Sequence, residues 1–170
     1  EGLLLTLIEE GPKALKEPEN YAVRANVMWS ATMALNGLIG AGVPQDWATH
    51  MLGHELTAMH DIDHAQTLAI VLPSLMNIKR EQKRGKLLQY ADRVWGFKEG
   101  NEEQRIDLAI TATREFFEAM GIPTRMQDYQ LDGSSIPALL VKLEEKGLTA
   151  LGEHQDITLE VSRKIYEDAR

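Results

Sequence analysis

Four of the five histidines fall within fifteen residues, at His50, His54, His60 and His64. A helix sets residues four apart on one face, so His50 and His54 share a face, and so do His60 and His64. Imidazole is a ligand for zinc and for ferrous iron, and a cluster this dense can direct several ring nitrogens at one divalent ion. The same residues also read as solvated side chains, or as caps of a helix C-terminus, where a cation meets the negative end of the dipole. The chain has no cysteine. Disulfides, thiolate catalysis and Cys-based zinc sites are therefore excluded, and any metal must be held by His, Asp or Glu.

Three neighbouring patterns do not meet the requirements of the chemistry they resemble. His54-Glu55 opens like a zinc-protease motif, but that motif needs a second His four residues after the first, where Ala58 stands. Asp46 lies four residues before His50, yet Asp at a helix start is the residue type that caps it. Gly37, Gly40 and Gly42 follow a helical segment, whereas a dinucleotide-binding loop follows a strand. They read as a helix end and a turn.

The elements that must position these histidines are helical nearly throughout. A short first helix over Leu3–Glu10 is predicted, closed by Gly11-Pro12. The segment from Glu19 to about Ile39 is apolar almost all round, which predicts a buried central helix. Further helices are expected from Gln45 to about His60, over Asp63–Lys79 with Pro73 as a kink or break, and over Glu81–Trp95. Asn101 followed three residues on by Gln104 has the form of a capping box. That helix carries Ile106, Ala109, Ile110, Phe116, Phe117 and Met120 at three- and four-residue steps and stops at Gly121. Ser134-Ser135-Ile136-Pro137 reads as another start, with Leu139, Leu140 and Leu143 on its apolar face, and a last helix runs from about Asp156 to Ala169. There is no strand alternation, internal repeat, low-complexity stretch or linker. The expectation is an all-α bundle of about seven or eight helices, one domain over 1–170.

At 170 residues, 44% hydrophobic and 26% charged, the chain can bury a sizeable core. A formal net charge of -8 argues against nucleic acid as a partner, because phosphate recognition needs clustered Lys and Arg. No apolar run approaches the ~20 residues that span a bilayer, and Leu3-Leu4-Leu5 is too short and too acidic in its flanks for a signal peptide. We expect no membrane association and a cytoplasmic location. Because the chain opens on Glu1 without an initiating Met, we also expect a fragment or a processed product.

The stretch His50-x3-His54-Glu55-Leu56, then His64, then Leu68-Ala69-Ile70-Val71-Leu72-Pro73, resembles the signature of the iron-containing alcohol dehydrogenases. The resemblance covers essentially the whole chain. It is nearest to the branch of NADPH-dependent aldehyde reductases of the butanol dehydrogenase type. That closer likeness is carried by Asn26-Val27-Met28-Trp29, Leu35-Asn36-Gly37-Leu38-Ile39-Gly40-Ala41-Gly42, Gln45-Asp46-Trp47-Ala48-Thr49-His50 and Tyr129-x-Leu131-Asp132-Gly133-Ser134-Ser135-Ile136-Pro137.

The resemblance implies the C-terminal helical domain of a dehydroquinate-synthase-like fold. It implies a divalent metal, Fe2+ or Zn2+, held by one Asp and three His, of which His50 and His64 are two. His54 is implied to line the cleft near the nicotinamide, as a catalytic and cofactor-contacting residue and not a ligand. Ala65 stands where many relatives have Gly, a departure that leaves the ligands untouched. His60 has no role in the family pattern and is expected to face solvent or the cleft mouth. The family's Asp, its first His and its nucleotide-binding domain belong upstream of Glu1 and are expected to be absent from this chain. NADP or NAD is then bound mainly by that upstream domain. The implied activity is hydride transfer between nicotinamide and an alcohol or aldehyde held on the metal, in an enzyme that is a homodimer when intact. Two other readings stay open: a helical interaction domain without chemistry of its own, and a metal-dependent phosphohydrolase using His60-Asp61.

Overall fold

The computed structural model describes residues Glu1–Arg170. Eight α-helices carry the fold: α1 (Gly2–Lys16), α2 (Tyr21–Leu35), α3 (Ala48–His60), α4 (His64–Ile78), α5 (Arg84–Arg93), α6 (Glu102–Ala119), α7 (Ile136–Glu145) and α8 (Leu159–Asp168). Two strands of two residues each, β1 (Ala150–Leu151) and β2 (Ile157–Thr158), pair antiparallel, with Ala150 opposite Thr158 and Leu151 opposite Ile157. Strands this short leave no alternation to read in the sequence. No helix is long and apolar enough to cross a membrane.

The residues group into two compact units. One comprises Glu1–Pro44 and Gly85–Gly121, the other Gln45–Arg84 and Ile122–Arg170.

In the first unit α1 continues through Gly11-Pro12, where the sequence pattern predicts its end. Gly11 is there for close packing and not for a turn. A Cβ on it would lie 3.2 Å from Met120 Sδ and 3.3 Å from the Phe116 ring, so its bare backbone lets α6 approach α1. Glu10 is buried in the same helix, with Lys13 Nζ at 2.8 Å and Asn26 Nδ2 at 3.3 Å donating to it. The Asn101–Gln104 capping box forms in both directions, satisfying amides that an α-helix start leaves without partners.

The expectation of a buried central helix over the apolar 19–39 segment is not met. Of α2 only Val23 and Ser30 are buried, while Tyr21, Met28, Trp29 and Leu35 are exposed. Within its unit α2 packs on α1, and a helix apolar all round buries only the stripe that meets a neighbour.

The second unit holds the main core. Ala48, Leu52 and Leu56 recur along α3 at four-residue steps and are fully buried; Ile70 and Val71 of α4, Leu139 and Leu143 of α7, and Ile165 and Tyr166 of α8 meet them. The Tyr166 hydroxyl donates to the Leu52 carbonyl at 2.9 Å, giving a buried polar tip its partner. Pro73 sits buried inside α4, which runs through it without a break. The chain preceding α5 forms a turn and not the helix predicted from Glu81, and α8 begins at Leu159 because 157–158 is taken up by β2 and Thr158 caps the helix through Val161 N–H.

Candidate metal centre

Helix α3 points its buried stripe at the core and carries His50 and His54 two residues after Ala48 and Leu52 respectively, some 200° around the helix. The two imidazoles therefore stand on the outer side of α3, one turn apart. Asp61 then takes a left-handed conformation (φ 55°) that ends α3, and the short turn 61–63, with Ile62 buried, delivers His64 as the first residue of α4.

The two helices meet at Gly53 and Thr67. A Cβ at Gly53 would stand 2.8 Å from Thr67 Oγ1, closer than real Cβ contacts allow. Thr67 Oγ1 donates to the His64 carbonyl at 2.8 Å, so the residue that receives Gly53 also braces the first turn of α4. With this close approach the three rings gather. Ring centroids lie 5.1 Å apart for His50 and His64, 5.1 Å for His54 and His64, and 6.2 Å for His50 and His54.

One nitrogen from each of the three rings lies within 4.8 Å of the others. Nitrogens bound tetrahedrally to one ion at ~2.1 Å are about 3.4 Å apart, so side-chain shifts of about an ångström bring a pair of these rings onto one ion. The residues suit a divalent transition metal. His50 is half-buried, His54 and His64 exposed, so the site opens outward. Burial, and after it the nearby His64 and His54, push the His50 imidazole below its usual range, favouring the neutral form that binds metal. The Trp47 ring lies 5.1 Å from that of His50, tilted by 56°, and flanks it on one side.

His60 lies outside this trio. Its Nε2 is 2.9 Å from Ser135 Oγ, so it is tied to the start of α7. Asp46 lies one residue before the position that caps α3, Trp47, and still serves the helix start, its Oδ1 accepting from Ala48 N–H at 2.7 Å. Three features of the site are not marked by any motif: the Gly53–Thr67 contact, Trp47 against His50, and the hydrogen bond of Asp46 to Lys83, which also binds Glu153. Gly53 left one local trace, a glycine inside a helical pattern, which costs helix stability unless packing needs it. The Asp46–Lys83 and Lys83–Glu153 bonds left none, because their partners are distant in sequence.

Comparison with known proteins places the chain in one family. The family described as Fe-containing alcohol dehydrogenase family, C-terminal, matches residues 2–169. The chain belongs to that family. It is 76% identical over 170 residues to the NADPH-dependent aldehyde reductase YqhD of Escherichia coli strain K12, covering 100% of this chain and 44% of that protein. It is 31% identical to NADH-dependent butanol dehydrogenase A of Clostridium acetobutylicum, over 98% of this chain and 44% of that protein. A solved substrate- and cofactor-free form of the E. coli reductase superposes with a TM-score of 0.98, covering 99% of this chain and 44% of that one. This chain therefore spans less than half the length of the relatives it matches.

Proposed function

We propose that this chain is the metal-binding helical domain of an NAD(P)-dependent alcohol dehydrogenase or aldehyde reductase, with all 170 residues serving that one role. The observation that carries the reading is the convergence of His50, His54 and His64 nitrogens within 4.8 Å. His50 and His64 hold a divalent ion, Fe2+ or Zn2+, together with ligands from an upstream segment of the enzyme. When bound, the ion supplies a Lewis acid that polarises an alcohol or aldehyde oxygen.

His54 is assigned the catalytic and cofactor-side role. Its ring stands exposed beside His64, and a neutral imidazole there can take or return a proton at the substrate oxygen. The family likeness supports this division, since its pattern takes the first and last of the three as ligands. NADP or NAD is held mainly by an upstream nucleotide-binding domain. The NADPH-dependent aldehyde reductase among the relatives favours NADP and a small aldehyde or alcohol. A homodimer in the cytoplasm completes the reading.

The test uses the intact enzyme polypeptide. Changing His50 or His64 to Ala is expected to remove both bound metal and NADPH-dependent reduction of a short-chain aldehyde. Changing His54 to Ala is expected to leave the metal in place and lower turnover. Loss of metal in the His54 variant, with retention in the His50 variant, would reverse the assignment. The 170-residue chain by itself is expected to show no turnover, because no hydride donor is held against the substrate.

A further inference from the structure

We propose that Lys83 and Asp46 are positioning residues for the metal centre: the Lys83 ammonium holds the Asp46 carboxylate against the first turn of α3, and that turn sets where the His50 imidazole points. The inference rests on the reading of His50 as a ligand.

Each oxygen of Asp46 has one task. Oδ1 accepts from Ala48 N–H at 2.7 Å, and Oδ2 accepts from Lys83 Nζ at 2.7 Å. Lys83 is itself fixed from the other side, donating to Glu153 Oε1 and Oε2 at 2.7 and 2.8 Å. The side chains of Lys83, Asp46 and Glu153 are 17%, 21% and 23% exposed, so this is not a solvent-screened surface pair. The three residues tie together the approach to α3, the turn before α5 and the β1–β2 connection.

His50 is the third residue of α3, inside the turn whose first amide, that of Ala48, donates to Asp46. The first amides of a helix have no intrahelical partner and fray when nothing accepts from them. Trp47, the N-cap residue of α3, lies against the His50 ring at 5.1 Å. Releasing Asp46 therefore loosens both the backbone that carries His50 and the ring that flanks it. Neither Asp46 nor Lys83 supplies a donor to the ion. Outer residues that orient a metal ligand commonly change metal affinity by 10- to 100-fold. A control lies nearby. Lys79, buried at the end of α4, pairs with Asp156 at 2.7 Å and has no hydrogen bond to the 45–50 segment.

The experiment is zinc affinity, measured by competition with a chelating dye, on the intact enzyme polypeptide, with thermal midpoints recorded in parallel. Asp46→Ala and Lys83→Met are expected to weaken zinc about tenfold. Asp46→Asn keeps one oxygen for the Ala48 amide but sets an amide NH2 against the Lys83 ammonium, and is expected to weaken zinc about as much as Lys83→Met, whereas Lys83→Arg keeps the cation and is expected to stay within about threefold of the native protein. Lys79→Met is expected to lower the thermal midpoint and leave zinc affinity unchanged. Native affinity in Asp46→Ala overturns the proposal. So does native affinity in Asp46→Asn, or a loss in Lys79→Met as large as that in Lys83→Met. Should Lys83→Met not fold, the Asp46 pair of variants decides alone. His50→Ala is the separate check on the metal reading: native zinc affinity in that variant overturns the reading itself, whatever the other variants do.

Discussion

Gly53 and Thr67 are in contact across the α3–α4 crossing so closely that a single added methyl on Gly53 would meet Thr67 Oγ1 at 2.8 Å and Thr67 Cβ at 3.4 Å. Thr67 is fully buried and short, so it has little room to yield. The histidine trio straddles this crossing.

Gly53→Ala sets two effects against each other. Alanine gains about 1 kcal/mol in helix propensity, while overpacking a filled interface costs about 1–3 kcal/mol. The buried contact wins. The expected outcome is a thermal midpoint lowered by a few degrees, at ~2–4 °C per kcal/mol for a chain of this size, together with weaker metal binding as His64 moves from His50. Adding Thr67→Ala makes room and recovers part of the loss. Calorimetry on both single variants and the double variant checks this; strictly additive midpoints would show that the contact does not set the crossing.

Metal binding is expected to fall as pH drops, since a proton competes with the ion for His50 and only neutral imidazole coordinates. In the metal-free protein, burial and the adjacent His64 and His54 hold His50 below its ordinary range. The unfolded chain then binds a proton at His50 before the folded chain does. Stability therefore falls as pH drops below about 6.5 and levels off below the folded value. Replacing His50 with Gln should flatten the melting midpoint across that window; an unchanged slope would refute the assignment.

At acid pH the ion cluster contributes through Glu153. Burial works against ionising Glu153, but hydrogen bonds from Lys83 to both of its oxygens bring its carboxyl down to about 2, from an ordinary value of 4.5. A carboxyl with a depressed folded value stabilises the fold above its unfolded value, and that contribution is lost as pH falls from about 4.5 toward 2. Acid titration followed by circular dichroism should show Glu153→Gln less pH-dependent than the native protein over this range.

His60 and Ser135 form one hydrogen bond between the end of α3 and the start of α7. Removing either partner is expected to cost about 1 kcal/mol, with a non-zero coupling in a double-mutant cycle. Metal content should not change, because His60 stands apart from the trio. Denaturant unfolding and zinc titration of His60→Ala, Ser135→Ala and the double variant test both statements.

The helical periods, the capping box at Asn101–Gln104 and the four-residue step from His50 to His54 were legible in the sequence, because each is set by neighbours within about one helical turn; His64 was singled out by the family resemblance. Local signals also misled where tertiary packing overrode them. Gly11-Pro12 reads as a stop, yet Gly11 is needed bare for Phe116 and Met120, and α1 continues. The apolar segment 19–39 reads as buried, yet how much of α2 is covered depends on which elements reach it. The residue types for a metal site were thus fixed by the sequence pattern. Their convergence was decided by long-range contacts: Gly53 against Thr67, and Asp46 held by Lys83, which is itself held by Glu153. Such pairs leave no periodic trace, because a contact between distant residues depends on how the helices cross and not on the spacing within either one.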